Sequence, residues 1–374
     1  MKYLSYIGWI ILIAACSQSG SNSVTTSEVV TDSVRYARGF IIHREKEYTL
    51  AEIKDPWNPG DILQRYILVE REKPIPANLP KGTIVRVPIQ NVVVYTSVHA
   101  SIIDQLNESD KIIGVCEPHY IDIPEIQEGL ASGKVADLGM ATSPNIERIM
   151  DIGAEVIIAS PFQNSNYGQA EKLGIPIIEG ADYMEAHPLG RAEWGRFYGL
   201  LFNKATEADS IFNGTESRYM ELAQLAATAN HKPTVFSERK YGQFWYIPCG
   251  ESYTAQFFKD AGAEYIFKDL SGSGSKPMAF ESVLEEAIHA DIWLIKYNLT
   301  EEMSYKGLRT EYTPYENFDA YKSKQIFTCN TGKVPYYEEF PVHPDYLLKD
   351  MIKIFHPELL PDYTCRYYQP MTDL

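Results

Sequence analysis

The 374-residue sequence predicts an α/β fold in which two lobes with parallel sheets are joined by one long helix and preceded by a small β extension. Runs of Val and Ile alternate with amphipathic segments on both sides of the middle of the chain, which is typical of parallel strands covered by helices. Between these regions, apolar residues recur every three or four positions, as in a long helix. Before them, short alternating runs indicate an antiparallel sheet.

The N-terminus has the pattern of a lipoprotein precursor. Lys2 is followed by an apolar run from Ile7 to Ala15, which is too short to span a bilayer, and small residues directly precede Cys16. We predict that residues 1–15 are a cleavable signal peptide and that Cys16 becomes the lipid-modified N-terminus of the mature chain. The alternative is a short buried helix that carries an ordinary thiol.

The next two segments are predicted to be a tether and a β extension. Residues 16–33 are rich in Ser, Thr and Asn, and such a segment buries too little apolar surface to fold, so we expect a flexible tether. Residues 34–83 contain short alternating runs on both sides of the turn sequence from Asp55 to Gly60, which predicts a small antiparallel sheet. This extension would either cap the following lobe or contact a membrane partner.

Two regions show the pattern of Rossmann-like lobes. Residues 84–187 form the first, with the strand segments IVRVP, NVVVYTS, KIIGVC, EVIIASP and IPIIEG separated by helical segments. Residues 230–374 form the second, with the strand segments PTVFSE, YIFKD, DIWLIKY and QIFTCN. Near-continuous apolar strands of this kind are buried on both faces, so each lobe should contain a parallel sheet between helices.

Residues 188–229 are predicted to form the long linking helix. Apolar side chains lie at helical spacing at Trp194, Phe197, Leu201, Ala205, Ala208 and Ile211. Thirty helical residues extend about 45 Å, which is enough to act as a stiff connection along two packed lobes. The prediction is therefore one unbroken helix between two similar halves.

Composition limits the partners. The formal net charge is −16, which excludes nucleic acid as a probable partner and disfavours wide contact with anionic lipid headgroups. The lipid on Cys16 is then the only membrane attachment we expect, and the body should be a monomer. Apart from Cys16, the cysteines have no C-x-x-C spacing; either all are free thiols or one exported disulfide forms among Cys116, Cys249, Cys329 and Cys365.

Five segments, in this chain order, make the sequence resemble the substrate-binding proteins of ABC importers with a helical backbone, which carry cobalamin, haem and ferric siderophores. They are NVVVYTSVHASIIDQL, PNIERIMDIGAEVIIASPF, PLGRAEWGRFYGLLF, FESVLEEAIHADIWLI and HPELLPDYTCRYYQPM. The resemblance covers roughly Ile84 to Pro370 and implies two lobes joined by a rigid helix, with the ligand between them. The carboxyl ends of the strands in open α/β sheets are the expected ligand site on general grounds as well.

Two glutamates are candidates for importer docking. Glu147 and Glu281 each begin a helix that precedes an apolar strand, at equivalent positions of the two halves. A carboxylate in a first helical turn is also an ordinary cap. The resemblance implies that these two glutamates dock to arginines of the permease subunits, for which bidentate pairing suits a carboxylate.

Candidate ligand-binding residues are aromatic or hydroxyl-bearing side chains that follow predicted strands, because tyrosine combines a flat apolar face with a polar tip. Three adjacent aromatics, Phe244 to Tyr246, are the favoured group because they cannot all face one core. His99 and Tyr167 are additional candidates for axial contact with haem iron. The full set is Tyr95, Ser97, His99, Tyr120, Phe162, Tyr167, Phe244, Trp245, Tyr246, Tyr253, Tyr297 and Tyr336.

These observations predict a periplasmic, lipid-anchored binding protein that takes up a metal chelate and delivers it to an ABC permease. Cobalamin or a ferric siderophore is favoured over haem. No cofactor and no protein-bound metal are expected, because the histidines are dispersed and form no H-x-x-x-H pair, although the ligand may contain iron or cobalt. One alternative is an exported α/β enzyme that uses the same cleft, but no G-x-S-x-G or phosphate-loop motif is present. A second alternative is a structural or signalling lipoprotein that has kept the fold and lost transport.

Overall fold

A computed structural model describes residues 30–32, 34–164 and 166–373. The described residues form four sheets: an N-terminal sheet, one sheet in each of two lobes, and a three-stranded sheet beside the second lobe. The predicted signal peptide and the predicted lipid site at Cys16 lie outside the described residues. Among the helices of the described part of the chain, none has both the length and the apolar composition to cross a membrane.

The N-terminal sheet contains the predicted β extension but begins before it. The prediction of a flexible tether up to residue 33 is wrong at its end, because residues 30 and 31 pair with residues 43 and 44 as the first strand of this sheet. Its strands are β1 (Val30–Thr31), β2 (Phe40–Arg44), β3 (Thr49–Lys54), β4 (Ile62–Glu70) and β5 (Thr83–Val87). They pair in sequence order, antiparallel except for β4 with β5. The predicted boundary between residues 83 and 84 therefore cuts through β5. The segment IVRVP does not begin the first lobe, because Val85 and Val87 are buried while their neighbours are partly exposed, as in a sheet with one buried face.

The extension packs against the first lobe and the segment that follows it, as expected for a cap, which was one of its two possible roles. The Tyr66 hydroxyl donates to the Ile177 carbonyl of the first lobe at 2.9 Å. Phe40 packs edge-on against Trp194 with ring centroids 5.0 Å apart. The fully buried carboxylate of Glu193 accepts hydrogen bonds from the backbone N–H groups of Arg35, Tyr36 and Ala37 at 2.8–2.9 Å. A buried carboxylate that receives several backbone donors is well compensated, so this contact fixes the entry of the extension.

The first lobe contains a fully parallel sheet. Its strands are β6 (Val92–Val94), β7 (Ile112–Val115), β8 (Ala136–Asp137), β9 (Val156–Ala159) and β10 (Ile177–Glu179). Its helices are α1 (Ser97–Gln105), α2 (Pro124–Ser132) and α3 (Ile146–Asp151). The spatial order is β10-β9-β6-β7-β8. From β6 the chain continues to β7 and β8 on one side of the sheet, and from β9 it continues to β10 on the other side. This reversal creates a topological switch point at the carboxyl ends of β6 and β9.

The prediction of one unbroken helix over residues 188–229 is wrong. This part of the chain contains three helices, α4 (Pro188–Glu193), α5 (Gly195–Leu201) and α6 (Ala205–Ala226). Asn203 takes a left-handed conformation with φ of 57°, and the Lys204 N–H bonds to the Gly199 carbonyl at 2.7 Å. This bond is the one that closes a Schellman motif and ends α5.

The helices α5 and α6 pack against each other. A Cβ on Gly199 would lie 2.6 Å from the Ala208 Cβ, so glycine permits a close approach between the two helices. The long helix that connects the lobes is therefore α6 alone, with 22 residues. At the usual rise it extends about 33 Å, which is shorter than the predicted connection.

The second lobe repeats the topology of the first. Its strands, with those of the three-stranded sheet, are β11 (Thr234–Ser237), β12 (Lys240–Tyr241), β13 (Phe244–Pro248), β14 (Glu264–Tyr265), β15 (Ser275–Met278), β16 (Ile292–Tyr297), β17 (Ile326–Asn330) and β18 (Gln369–Pro370). Its helices are α7 (Tyr253–Asp260), α8 (Phe280–Ala287), α9 (Tyr305–Glu311), α10 (Asp319–Lys322), α11 (Tyr336–Glu339) and α12 (Pro344–Phe355). The main sheet has the order β14-β11-β16-β17-β18, with β18 antiparallel at the edge. This order matches β7-β6-β9-β10 of the first lobe, with a second switch point between β11 and β16.

A buried arginine connects the two lobes. The Arg191 Nε lies 3.0 Å from Asp182 Oδ2, and its guanidinium lies 5.0 Å from the Phe340 ring centroid and 5.8 Å from that of Tyr253. Asp182 belongs to the first lobe, whereas Phe340 and Tyr253 belong to the second. Burial raises the pKa of Asp182, but His99 and Arg191 outweigh it and hold the pKa below its ordinary value. The junction therefore contains a charged carboxylate that depends on Arg191.

Candidate functional site

A cleft of about 1240 Å³ lies between the lobes. Its lining includes Tyr95 after β6, Ser160 after β9, Glu238 after β11 and Asn298 after β16. These positions are the carboxyl ends of the strands that flank both switch points, which is the predicted location. A cavity at this place receives side chains from several strands of each sheet, so it is the best candidate ligand site of the described residues.

Seven of the twelve predicted ligand-binding residues line the cleft: Tyr95, Ser97, Tyr120, Phe162, Tyr167, Tyr297 and Tyr336. Among them, the Phe162 and Tyr120 side chains are half-exposed or more. Tyr95 is almost completely buried, and its hydroxyl lacks a hydrogen-bond partner. The structure brings these residues together; their contact with a ligand stays a prediction.

The three adjacent aromatics Phe244 to Tyr246, the favoured candidates for ligand binding, lie outside the cleft. They lie on β13 of the three-stranded sheet, where alternation turns Trp245 into the core and leaves Phe244 and Tyr246 exposed on the other face. The Trp245 indole packs among Trp293, Phe280 and other core rings, and its Nε1 donates to the Ser237 carbonyl at 3.0 Å. The prediction that these three line the cleft is wrong, because β13 pairs with β12 and β15 in a separate sheet that buries one face in the core and exposes the other outside the cleft.

His99 and Tyr253 are also absent from the cleft lining. His99 is fully buried, with Nδ1 3.0 Å from the Thr96 hydroxyl and Nε2 3.5 Å from Asp182. Tyr253 begins α7 and stacks on Phe340 at 5.9 Å beneath the Arg191 guanidinium. Both residues therefore pack in the junction between the lobes, beside Asp182 and Arg191, and do not face the interior of the cleft.

The geometry disfavours both candidates for axial contact with haem iron. His99 is buried beside Asp182, as described above. The Tyr167 hydroxyl lines the cleft but donates to Glu179 Oε1 at 3.0 Å. Burial and the neighbouring carboxylate both raise the pKa of Tyr167, so its phenol stays protonated, whereas an iron ligand has to lose that proton.

An ion pair in the cleft was missed by the sequence analysis. Lys296 on β16 contacts the Glu238 carboxylate directly after β11, and both line the cleft. Burial lowers the pKa of Lys296, but Glu238 outweighs it and holds the pKa well above its ordinary value, so the lysine stays charged. A lysine inside the apolar run IWLIKY was the signal that could have identified it.

Carboxylates exceed cations in this cleft. Among the described residues that line it, Lys296 is the only lysine or arginine, and it is already paired. The lining carboxyl groups belong to Glu117, Asp122, Glu238 and Glu338. A cleft of this composition attracts positive charge and repels an anionic guest.

The model of the periplasmic binding protein family matches residues 92–331. The chain belongs to this family. Its members are the solute-binding proteins of ABC importers, so this periplasmic binding protein is not an enzyme.

The chain is similar to a lipoprotein over nearly its whole length and to two solved structures over about three quarters of it. The chain is 26% identical to an uncharacterized lipoprotein of Methanocaldococcus jannaschii, over 96% of this chain and 94% of the relative. A periplasmic heme binding protein from Pseudomonas aeruginosa has a TM-score of 0.60 at 15% identity, covering 76% of this chain and 99% of the other. The periplasmic vitamin B12 binding protein BtuF of Vibrio cholerae has a TM-score of 0.52 at 14% identity, covering 71% and 96%. The two solved structures show a shared fold.

Glu147 and Glu281 occupy equivalent exposed positions in this periplasmic binding protein. Each lies in the first turn of its helix, Glu147 in α3 and Glu281 in α8. The helix α3 directly precedes β9 and α8 directly precedes β16, and these strands correspond in the two sheet orders. Docking by the two residues stays a prediction.

The four described cysteines are free thiols. Cys116, Cys249 and Cys329 are buried, and Cys365 is partly buried. Burial raises the pKa of Cys116, Cys329 and Cys365 to about 12, so these thiols are protonated and unreactive. Of the two predicted alternatives, free thiols or one disulfide, the structure contains free thiols at these four positions.

Proposed function

We propose that this periplasmic binding protein is anchored to the membrane by a lipid on Cys16, captures a metal-chelate nutrient between its lobes and delivers it to the permease of an ABC importer. The observation that carries the proposal is the cleft of about 1240 Å³ at the switch points of both sheets. This volume exceeds the usual range for small-molecule pockets, which supports a bulky guest.

The charge of the cleft supports a neutral or cationic chelate. Haem carries propionate groups, which need positive partners, and the single cleft lysine is already engaged by Glu238. Cobalamin carries amide side chains and no free carboxylate, and some ferric siderophores are uncharged. The tyrosines that line the cleft supply flat apolar faces for such ligands. Cobalamin and uncharged ferric siderophores therefore rank ahead of haem.

Delivery is proposed to use Glu147 and Glu281. One exposed carboxylate on each lobe can engage one arginine on each permease subunit, which would fix the orientation of the binding protein on the importer. Neither residue lines the cleft. Capture and delivery can therefore be separated by mutation.

The test compares ligand binding with importer-dependent uptake. The double variant Glu147→Ala with Glu281→Ala is expected to bind radiolabelled cobalamin or a radiolabelled ferric hydroxamate as the wild type does, but to lose uptake in cells that produce the permease and ATPase. The matched control is Glu128→Ala with Glu285→Ala, which removes one exposed carboxylate from α2 and one from α8. Normal uptake by the docking variant would contradict the proposal, as would an equal loss in the control.

A further inference from the structure

Three potential metal ligands meet outside the cleft, in the second lobe. His231 follows α6, His356 directly follows α12, and Glu358 lies in the next turn. One ligand atom of each residue lies within 4.8 Å of the corresponding atoms of the other two. None of the three lines the cleft, so this cluster is separate from the proposed site of the chelate.

His356 has the geometry of a metal ligand. Its side chain is fully buried, its Nε2 lies 3.3 Å from the Gly262 carbonyl oxygen, and its Nδ1 has no hydrogen-bond partner. Because a carbonyl only accepts hydrogen bonds, Nε2 must carry the proton, which leaves a lone pair on Nδ1. The nearest carboxylate oxygen to Nδ1 is Glu358 Oε1, at 3.9 Å. A histidine whose second nitrogen donates to a backbone carbonyl is the usual arrangement of a metal ligand.

The surrounding backbone favours a cation. The helices α6, α7 and α12 all end here, at Ala226, Asp260 and Phe355, and the negative ends of helix dipoles stabilise positive charge. Gly262 allows the His356 ring and the end of α6 to approach each other closely, since a Cβ at this position would lie 2.7 Å from His356 Nε2 and 3.2 Å from the Ala226 carbonyl oxygen.

We infer that His231, His356 and Glu358 form a binding site for a divalent cation of the zinc class. Two imidazoles and one carboxylate are a known three-ligand set for Zn²⁺, with a fourth position open to water. Ligand atoms of a tetrahedral zinc lie about 3.4 Å apart. The side chains of His231 and Glu358 are both exposed, so they can move until the ligand atoms reach this spacing, whereas the buried His356 is already fixed. A bound ion would join the end of the connecting helix α6 to the end of α12, so its role would be structural.

The test uses the full-length protein in detergent, treated with a chelator and then titrated with ZnCl₂ by calorimetry. One Zn²⁺ is expected per chain, with a rise in melting temperature on loading. His231→Ala and Glu358→Gln are each expected to weaken Zn²⁺ binding by at least about tenfold and to remove the rise. Both residues are exposed, so both variants should fold.

The matched control is His289→Ala. His289 is exposed and lies 2.7 Å from a carboxylate oxygen of Asp319, but it does not belong to the three-residue cluster. This variant should bind Zn²⁺ as the wild type does. The inference would be overturned if the wild type binds no Zn²⁺, or if His231→Ala and Glu358→Gln bind it with unchanged affinity. Neither result bears on the cleft, so the proposed function is tested separately.

Discussion

Glu338 makes the stability of the junction depend on pH near neutrality. This residue of α11 lines the cleft, is nearly completely buried, and accepts a hydrogen bond from the backbone N–H of Asp122 in the first lobe at 2.8 Å. Burial raises the pKa of Glu338 to about 7, and the carboxylates of Asp122, Glu339 and Asp104 add to the effect. The folded protein therefore holds this proton over a pH range in which the unfolded chain has lost it.

The sign of the pH dependence follows from proton linkage. Because the pKa of Glu338 is higher in the folded state, the folded state binds more protons between pH 4.5 and about 7, and the free energy of unfolding falls as pH rises through this range. The rise in the pKa of Glu338 from 4.5 to about 7 on folding corresponds to a loss of about 3 kcal/mol at most in the free energy of unfolding between these pH values. Below pH 4.5 and above pH 7 this contribution is constant.

The substitution that tests it is Glu338→Gln, which keeps an oxygen for the Asp122 N–H and removes the ionisation. Urea unfolding at pH 5 and pH 8 should show that the wild type loses more stability with rising pH than the variant, by up to about 3 kcal/mol. The exposed Glu128→Gln on α2 should follow the wild type. An equal change with pH in the wild type and Glu338→Gln would refute the assignment of the shift to Glu338.

Two further substitutions test the junction and the cleft. Arg191→Met leaves the buried Asp182 carboxylate without its cation and should lower the free energy of unfolding by about 3–5 kcal/mol in urea; a loss below about 1 kcal/mol would show that this pair does not support the junction. Tyr95→Phe in the cleft wall removes a buried hydroxyl that lacks a partner, so the protein should be as stable as the wild type or up to about 1 kcal/mol more stable in urea. A loss of more than about 1 kcal/mol would show that this hydroxyl contributes a stabilising contact.

Strand positions could be predicted from the sequence because buried parallel strands leave a strong pattern. Val92–Val94 and Val156–Ala159 are continuous apolar runs, which are typical of strands in sheets covered on both faces. The cleft location followed from the same pattern, since residues after such strands meet at one edge of the sheet. Tyr95 and Phe162 were found in this way.

The extent of the linking helix could not be predicted because helical spacing continues across the break. Apolar residues recur at intervals of three or four through Leu201, Ala205 and Ala208, although the chain changes direction at Asn203. Periodicity records which residues are buried and not whether successive turns share one axis. Asn203 was the only local signal, since asparagine tolerates positive φ better than most residues.

The cleft electrostatics were missed because they depend on contacts between lobes and between distant strands. Lys296 and Glu238 are 58 positions apart, and Glu338 meets Asp122 across 216 positions. The error at Phe244 to Tyr246 has the same origin, since β15 supplies the pairing that turns Trp245 inward. Sequence patterns report the burial of a segment, whereas these contacts are fixed by tertiary packing.

The central claim is that a metal chelate binds between the two lobes, and melting temperature measured with candidate ligands tests it most directly. The proteins compared are the wild type, Phe162→Ala in the cleft and Phe244→Ala outside it, each with cobalamin, haem and several ferric siderophores. We expect a neutral or cationic chelate to raise the melting temperature of the wild type and of Phe244→Ala, because a ligand at about 100 times its Kd adds about 2.7 kcal/mol to the free energy of unfolding. The rise should be smaller for Phe162→Ala. No rise with any chelate, or an undiminished rise for Phe162→Ala, would contradict binding in the cleft.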